Sequence, residues 1–443
     1  MSVRPTTRRA SDPKFRPRTS RSGRCQVTPL EGGPTVITAA MPHRSSVSAG
    51  IWVSVGGRHE PASLGGISHF IEHMLFKGTR SRTAAQISEA IEGIGGYLNA
   101  FTDEEHTCFY ARARGRDLPV LVDVLLDMCL DSRLAPAEIA RERTVVEEEI
   151  AMYRDQPAEH VHDVLNALQF PGHPLGRAVI GSPKTVRSFR QRHLKAFLKG
   201  HYTAGATTIV ATGDVDHGEL VRLLEPHRRR FNPGSIPEFE PAPPAGTSPR
   251  LRQVVRDTEQ SHMSLGIRTC SRHDTSRFAL RLLSVILGEN MSSRLFQVVR
   301  ERHGLTYSIQ TTTSLWEDCG DLVVSAGMAP RELSRTLRLV RQEFDRIRRT
   351  APDPAELERA RDYLVGQHEL HVESTEHHMM HLGEHWLGHG ALPCFDTTQS
   401  HLLAVQPSDI RRAAEQFLDT RRMSLALVGP RADAYGLGRI LEG

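Results

Sequence analysis

Between residues 36 and 55 apolar and polar positions alternate along the chain. The pattern predicts strands at 36–39 and 47–55, joined across a turn near Pro42. Helical spacing replaces alternation at 67–76, and Gly95 and Gly96 then open a predicted hairpin at 97–112. Residues 118–130 and 136–170 read as helices, with Pro136 suited to a first helical turn. Strands and helices interleave without strict β-α-β order. The expected class is therefore α+β, a mostly antiparallel sheet with helices packed on one face.

The pattern runs twice. VSAGIWV begins at Val47 and MSLGIRT at Met263, an offset of 263 − 47 = 216. IVATG ends at Gly213 and ALVG at Gly429, each before a turn and a helix, and 429 − 213 is again 216. Two short matches at one offset indicate a duplicated domain. The Pro-, Gly- and Ser-rich stretch 227–250 reads as a linker between the copies. The expected division is a disordered basic tail at 1–30, a first domain at 31–226, the linker at 227–250 and a second domain at 251–443.

Composition narrows the class. The 443 residues carry 56 basic against 52 acidic side chains, a net charge of +4, too balanced to argue for a nucleic-acid binder. No apolar run reaches membrane-spanning length; the best candidate, 118–130, is cut by Asp123 and Asp127. The six cysteines form no C-x-x-C pair, which points to reduced thiols and a cytoplasmic location. The tail is rich in Arg, Ser, Thr and Pro and lacks the apolar core of a secretory signal. If it is instead a transit peptide, the location becomes the mitochondrial matrix.

Chemistry concentrates in His69-Phe70-Ile71-Glu72-His73. On a helix, residues four apart share a face, so His69 and His73 can aim two imidazoles at one metal. Glu72 can then reach a metal-activated water. Two hydrogen-bonded histidines beside an exposed acid are the alternative. A catalytic zinc needs a third protein ligand. The acidic run around Glu142 and Glu149, seven residues apart and so on one face, is the best supply; a solvated acidic face is the alternative there.

With these residues in place, the chain resembles the pitrilysin/insulinase-like zinc metallopeptidases. The likeness is to the branch that includes the catalytic subunit of the mitochondrial processing peptidase and its bacterial relatives. In that family a glutamate follows H-x-x-E-H by about 76 residues, with another glutamate seven before it; here 149 − 73 = 76 and 149 − 142 = 7. The resemblance implies one zinc per chain, held by His69, His73 and Glu149. It implies Glu72 as general base and Glu142 as the carboxylate that orients a ligand imidazole. GGYLNAFTDEEHTCFYAR resembles the family's edge strand, which implies that Asn99 and Ala100 hold substrate backbone. RERHGLTYSI resembles its R-x-x-x-G-L-x-Y segment, which implies that Arg300 and Tyr307 bind the substrate carbonyl and the developing oxyanion. Gly288-Glu289-Asn290 departs from the glycine-rich run of the family.

The second copy lacks the metal site, since position 69 + 216 = 285 is a valine. The function this implies is a zinc endopeptidase acting on extended peptides or presequences. The first domain holds zinc and the second completes the substrate chamber. Two repeats where single-chain relatives carry about four imply a second chain, either a homodimer or a heterodimer with an inactive paralogue. A non-catalytic structural subunit is the alternative. His371, His377, His378, His381, His385 and His389 crowd one stretch that resembles a structural helix of the family.

Overall fold

The computed structural model describes residues 24–442. Its first sheet holds β1 (Arg24–Pro29), β2 (Thr35–Ala40), β3 (Ser46–Val53), β4 (Tyr97–Thr102), β5 (Thr107–Arg114) and β6 (Thr207–Gly213), in the order β1-β2-β6-β3-β5-β4. The second holds β7 (Arg250–Val255), β8 (Ser261–Thr269), β9 (Thr306–Leu315), β10 (Gly320–Met328) and β11 (Met423–Gly429), in the order β7-β11-β8-β10-β9. Without β1 the two orders are the same, and in each sheet one pair is parallel, β2 with β6 and β7 with β11. The fold is α+β, with two related domains. The repeat is not rigid. Val47 lies opposite Gly213, but Met263 lies opposite Leu427, two residues short of Gly429. A slip of two keeps every side chain on its own face, whereas a slip of one would turn the strand inside out.

Each sheet packs its own half's helices on one face. In the first, Val47, Ala49, Ile51 and Val53 point into a core with Ile67, Phe70, Ile71 and Met74. In the second, Met263, Leu265 and Ile267 pack against Leu280, Leu283, Val340 and Phe344. The opposite faces are covered by an exchange. Helix Pro157–Gln169, from the first half, lays Val161, Val164 and Leu165 on Val323, Ala426 and Val428 of the second sheet. Helix Thr375–His389, from the second half, lays Met379 and Leu382 on Ile37, Trp52, Cys108 and Val210 of the first.

Two local readings differ from the structure, and a third gains detail. The expected helix at 136–170 is two helices, Pro136–Asp155 and Pro157–Gln169, because Pro157 lacks an N–H and pushes Gln156 into extended backbone. The last part of the expected tail is strand: β1 pairs antiparallel with β2 from Arg24 opposite Ala40, and the stretch's basic, Pro-rich composition hid the alternation of Cys25 and Val27. Residues 1–23 of that tail lie outside the described residues. The linker is extended but strapped down: the Glu240 carbonyl accepts from Arg58 and lies 3.0 Å from His173 Nε2, and the Ala242 N–H donates to Asp318 at 2.7 Å.

Candidate metal centre

Helix Ile67–Leu75 buries Ile67, Phe70, Ile71, Met74 and Leu75, the i, i+3, i+4, i+7, i+8 stripe of an amphipathic helix. His69, Glu72 and His73 are left on the other side. The chain enters this helix through Gly66 at φ 93°, where a Cβ would meet Gly181 and Ile180 backbone at 2.7 Å, so only glycine fits. Gly66 has no side chain to cap the helix. Glu60 does so instead, its carboxylate accepting from the Gly66 N–H at 2.6 Å and the Ser68 N–H at 2.7 Å. Burial pushes the Glu60 carboxyl up to about 7 against the pull of those two bonds and of Arg177.

The acidic helix Pro136–Asp155 packs across the metal helix and buries Ile139, Glu142, Val146 and Ile150. That face carries Glu149 to the imidazoles. His69 Nε2 lies 3.8 Å from Glu149 Oε1, and His73 Nε2 lies 3.6 Å from Glu149 Oε2. One ligand atom from each of the three residues lies within 4.8 Å of the other two. Glu142 Oε1 lies 2.9 Å from His73 Nδ1, while its Oε2 takes Lys77 Nζ at 2.8 Å.

The donor set fits a divalent cation. Glu149 Oε2 is buried with no hydrogen bond. A neutral His73 that donates its Nδ1–H to Glu142 turns its Nε2 lone pair toward the Glu149 carboxylate, a repulsion that a cation between them would relieve. Ligand atoms about 2.0–2.1 Å from a tetrahedral zinc sit roughly 3.3 Å apart, a few tenths shorter than the two Glu149 separations. The two imidazoles are shifted in opposite directions. Burial pushes the His69 imidazole down to about 3, with His73 adding to the effect. For His73 burial works the same way but is outweighed by the Glu142 bond and nearby carboxylates, which hold it above its ordinary value. Burial is also opposed at Glu142, where His73 and Lys77 hold the carboxyl below its ordinary value.

Glu72 stands beside these three residues and accepts a 2.6 Å hydrogen bond from the Thr102 hydroxyl on its Oε2. Burial raises its carboxyl, with Thr102 opposing. A cavity of about 420 Å³ opens here, lined by His69, Glu72, Ala100, Phe101 and Thr102. Its far wall is helix Pro157–Gln169, which offers Glu159, His162, Asp163 and Asn166 to the cavity and its apolar side to the second sheet.

Two family matches bear on the fold. Residues 35–183 match the insulinase family, peptidase family M16, and residues 188–364 match the M16 inactive domain. The chain belongs to peptidase family M16. Over 421 residues it is 39% identical to an uncharacterised zinc protease of Mycobacterium tuberculosis, covering 94% of this chain and 95% of that one. It is 37% identical over 417 residues to another from Streptomyces coelicolor, covering 93% and 91%. A protease from Helicobacter pylori shares the fold at a TM-score of 0.85 and 19% identity, covering 92% of this chain and all of that one. The inactive-domain match agrees with the valine at position 285 of the M16 chain.

The structure thus gathers His69, Glu72, His73, Glu142 and Glu149. Ala100 lines the cavity from edge strand β4, where its N–H takes the Asn99 side-chain oxygen at 2.9 Å; Asn99 also donates to the Tyr97 hydroxyl. Arg300 and Tyr307 stack on each other, 5.2 Å from guanidinium to ring centre, but neither lines the cavity, whose walls all come from the first half. Tyr307 is 82% exposed on β9, the far edge of the second sheet. Among the described residues the C-terminal histidines pair, as His368 with His381 at 4.6 Å between ring centres, yet no three bring ligand atoms together. Thr102, Lys77 and Glu60 were missed. Lys77 was within reach of the helical spacing that found His73, being four residues on.

Proposed function

We propose that the chain is a zinc-dependent endopeptidase that hydrolyses peptides bound in extended form. The observation that carries this reading is the convergence of His69, His73 and Glu149 beside Glu72, in a chain whose relatives are named zinc proteases. A zinc ion bound by those three residues supplies Lewis-acid activation of water and of the scissile carbonyl. Glu72 takes the proton of the attacking water. Thr102 occupies its Oε2, which leaves Oε1 to receive that proton and return it to the leaving nitrogen. Burial raises the Glu72 carboxyl, which makes it a better proton acceptor than a solvated one. Glu142 orients His73, and Lys77 keeps Glu142 charged.

Substrate backbone adds to β4, with Asn99 releasing the Ala100 N–H as the new strand pairs. Glu72, Glu104, Glu159 and Asp163 line the cavity against the lone guanidinium of Arg177, which favours a basic side chain near the cut. Arg300 and Tyr307 reach substrate only when a second surface, from closure or from a second copy or paralogue, covers the exposed Tyr307. The unpaired thiols Cys108, Cys129, Cys270 and Cys319 support a cytoplasmic site of action. No helix among the described residues is long and apolar enough to cross a membrane.

The test pairs metal analysis by inductively coupled plasma with a quenched-peptide assay of Glu72→Gln. The variant should keep its zinc and lose about 10²- to 10⁴-fold in kcat. Full activity in the variant refutes the base; absence of zinc from active protein refutes the reading. Light scattering of the active species decides between one chain and two.

A further inference from the structure

Beside the metal cavity lies a second one of about 330 Å³, and the two share Asp163, Arg177 and Ala178 as a wall. Their charges are opposite. The second is lined by Arg154, His160, Arg177 and Arg252, with Asp163 its single acid. Arg154 closes the acidic helix, His160 stands on the helix that follows, and Arg252 comes from β7, an edge strand of the second sheet. The cavity therefore exists because helix Pro157–Gln169 sits against the other half's sheet.

Arg177 donates to the Glu60 carbonyl, and Arg154 and Arg252 are exposed. On the acidic helix Arg141 pairs with Glu138, and Glu147 with Arg187, but among the described residues no ion pair includes Arg154 or Arg252. His160 Nδ1 and Arg177 Nε are buried with no hydrogen bond. The positive field is felt inside: burial, then Arg256, Arg154 and Arg252, hold the His160 imidazole below its ordinary value. Like charges gathered around a concave space, with donors unused, suit an anion that arrives from outside.

We propose that this cavity is an anion subsite of the substrate cleft, which takes a carboxylate of the bound peptide at a fixed distance from the cut bond. The proposal rests on the peptidase reading. It makes the cleft bipolar, a basic side chain beside the metal and an acidic group past the shared wall. The carboxylate can be an acidic side chain or the peptide's own C-terminus, which have the same chemistry.

The test measures binding, so that it does not depend on turnover. Labelled peptides with a single Glu or Gln scanned along one neutral sequence, each with a free or amidated C-terminus, are titrated by fluorescence anisotropy into the full-length Glu72→Gln protein at low ionic strength. At one position Glu should bind about two- to fivefold tighter than Gln, the size expected of charge-assisted bonds to exposed guanidinium groups. If the C-terminus is the source, the acid outbinds the amide instead. Added salt should shrink the preference. The double variant Arg154→Gln/Arg252→Gln should bring the ratio to about one, while the Arg→Lys pair at the same positions keeps most of it. Because the readout is a ratio within one protein sample, partial misfolding does not mimic the result. Equal binding at every position, or a preference that survives the Gln variant, overturns the subsite. A preference that the Gln variant abolishes, in a wild-type protein that cuts none of the peptides, sustains the subsite and overturns the peptidase reading alone.

Discussion

Replacing Gly383 by alanine puts the helix exchange under direct stress. Gly383 lies within helix Thr375–His389, where alanine normally gains about 1 kcal/mol over glycine. Here the new Cβ would stand 2.2 Å from Trp52 Cε2, 2.5 Å from Nε1 and 2.6 Å from Cζ2. Ordinary van der Waals contact begins near 3.4 Å, so something must retreat by about 1 Å. The Trp52 ring is fully buried, donates to Met379 Sδ at 3.2 Å and meets the Phe101 ring edge-on at 5.5 Å, so the helix has to lift instead. An approach this close to a fully buried ring belongs at the upper end of overpacking costs, about 2–3 kcal/mol, which exceeds the gain in helix propensity. A net loss of about 1–2 kcal/mol lowers Tm by roughly 2–8 °C in domains of this size. Gly366→Ala is the matched control. It lies in helix Pro354–His371 with nothing within 4 Å of its Cβ, so it should raise Tm. Calorimetric or circular-dichroism melts of both variants decide the matter. A Gly383→Ala protein as stable as Gly366→Ala would refute the close seating of the exchanged helix on Trp52.

Further outcomes follow from the site. Glu142→Gln should weaken zinc binding about 10- to 100-fold in a chelator competition, because the Gln amide no longer accepts strongly from His73 Nδ1; unchanged affinity would remove Glu142 from the site. Thr102→Val deletes a bond that lowers the Glu72 carboxyl, so the acid limb of the kcat/KM profile should move to higher pH; a shift the other way counts against Glu72 as the titrating base. Glu60, raised from 4.5 to about 7, binds its proton more tightly folded than unfolded. Its stabilising contribution is full below about 4.5 and falls away as pH rises through 7, by about 3 kcal/mol. Urea unfolding of wild type and Glu60→Gln across that window should show the wild type losing ground as pH rises; a constant difference would mean that the two N–H bonds cancel the burial cost.

The metal motif was legible because it is local: a helix alone brings His69 and His73 together. Glu149 was not. It lies on another helix: its seven-residue step from Glu142 set it apart from Glu147 and Glu148, but only the family spacing tied it to the two imidazoles. Thr102 reaches Glu72 across a sheet edge, and Glu60 reaches back over the helix start, contacts that periodicity cannot express. The duplication matched two strands of one half, at Val47 and Gly213, with two of the other, yet revealed neither the shared strand order nor the two-residue slip at Met263, which leaves the alternation of faces unchanged. Least legible was the exchange. An apolar stripe such as Val161, Val164 and Leu165 announces that a helix will be covered, not which sheet will cover it. Arg300 and Tyr307 show the reverse case, a matched motif whose side chains lie outside the cavity.

The reciprocal helices also fix the timetable of synthesis. When the first half leaves the ribosome, Ile37, Trp52 and Val210 have no cover, because the segment that shields them, Thr375–His389, is made only after four strands of the second sheet. The first half cannot mature before much of its twin is made, and the nascent chain must wait, sticky on one side, until that helix has emerged.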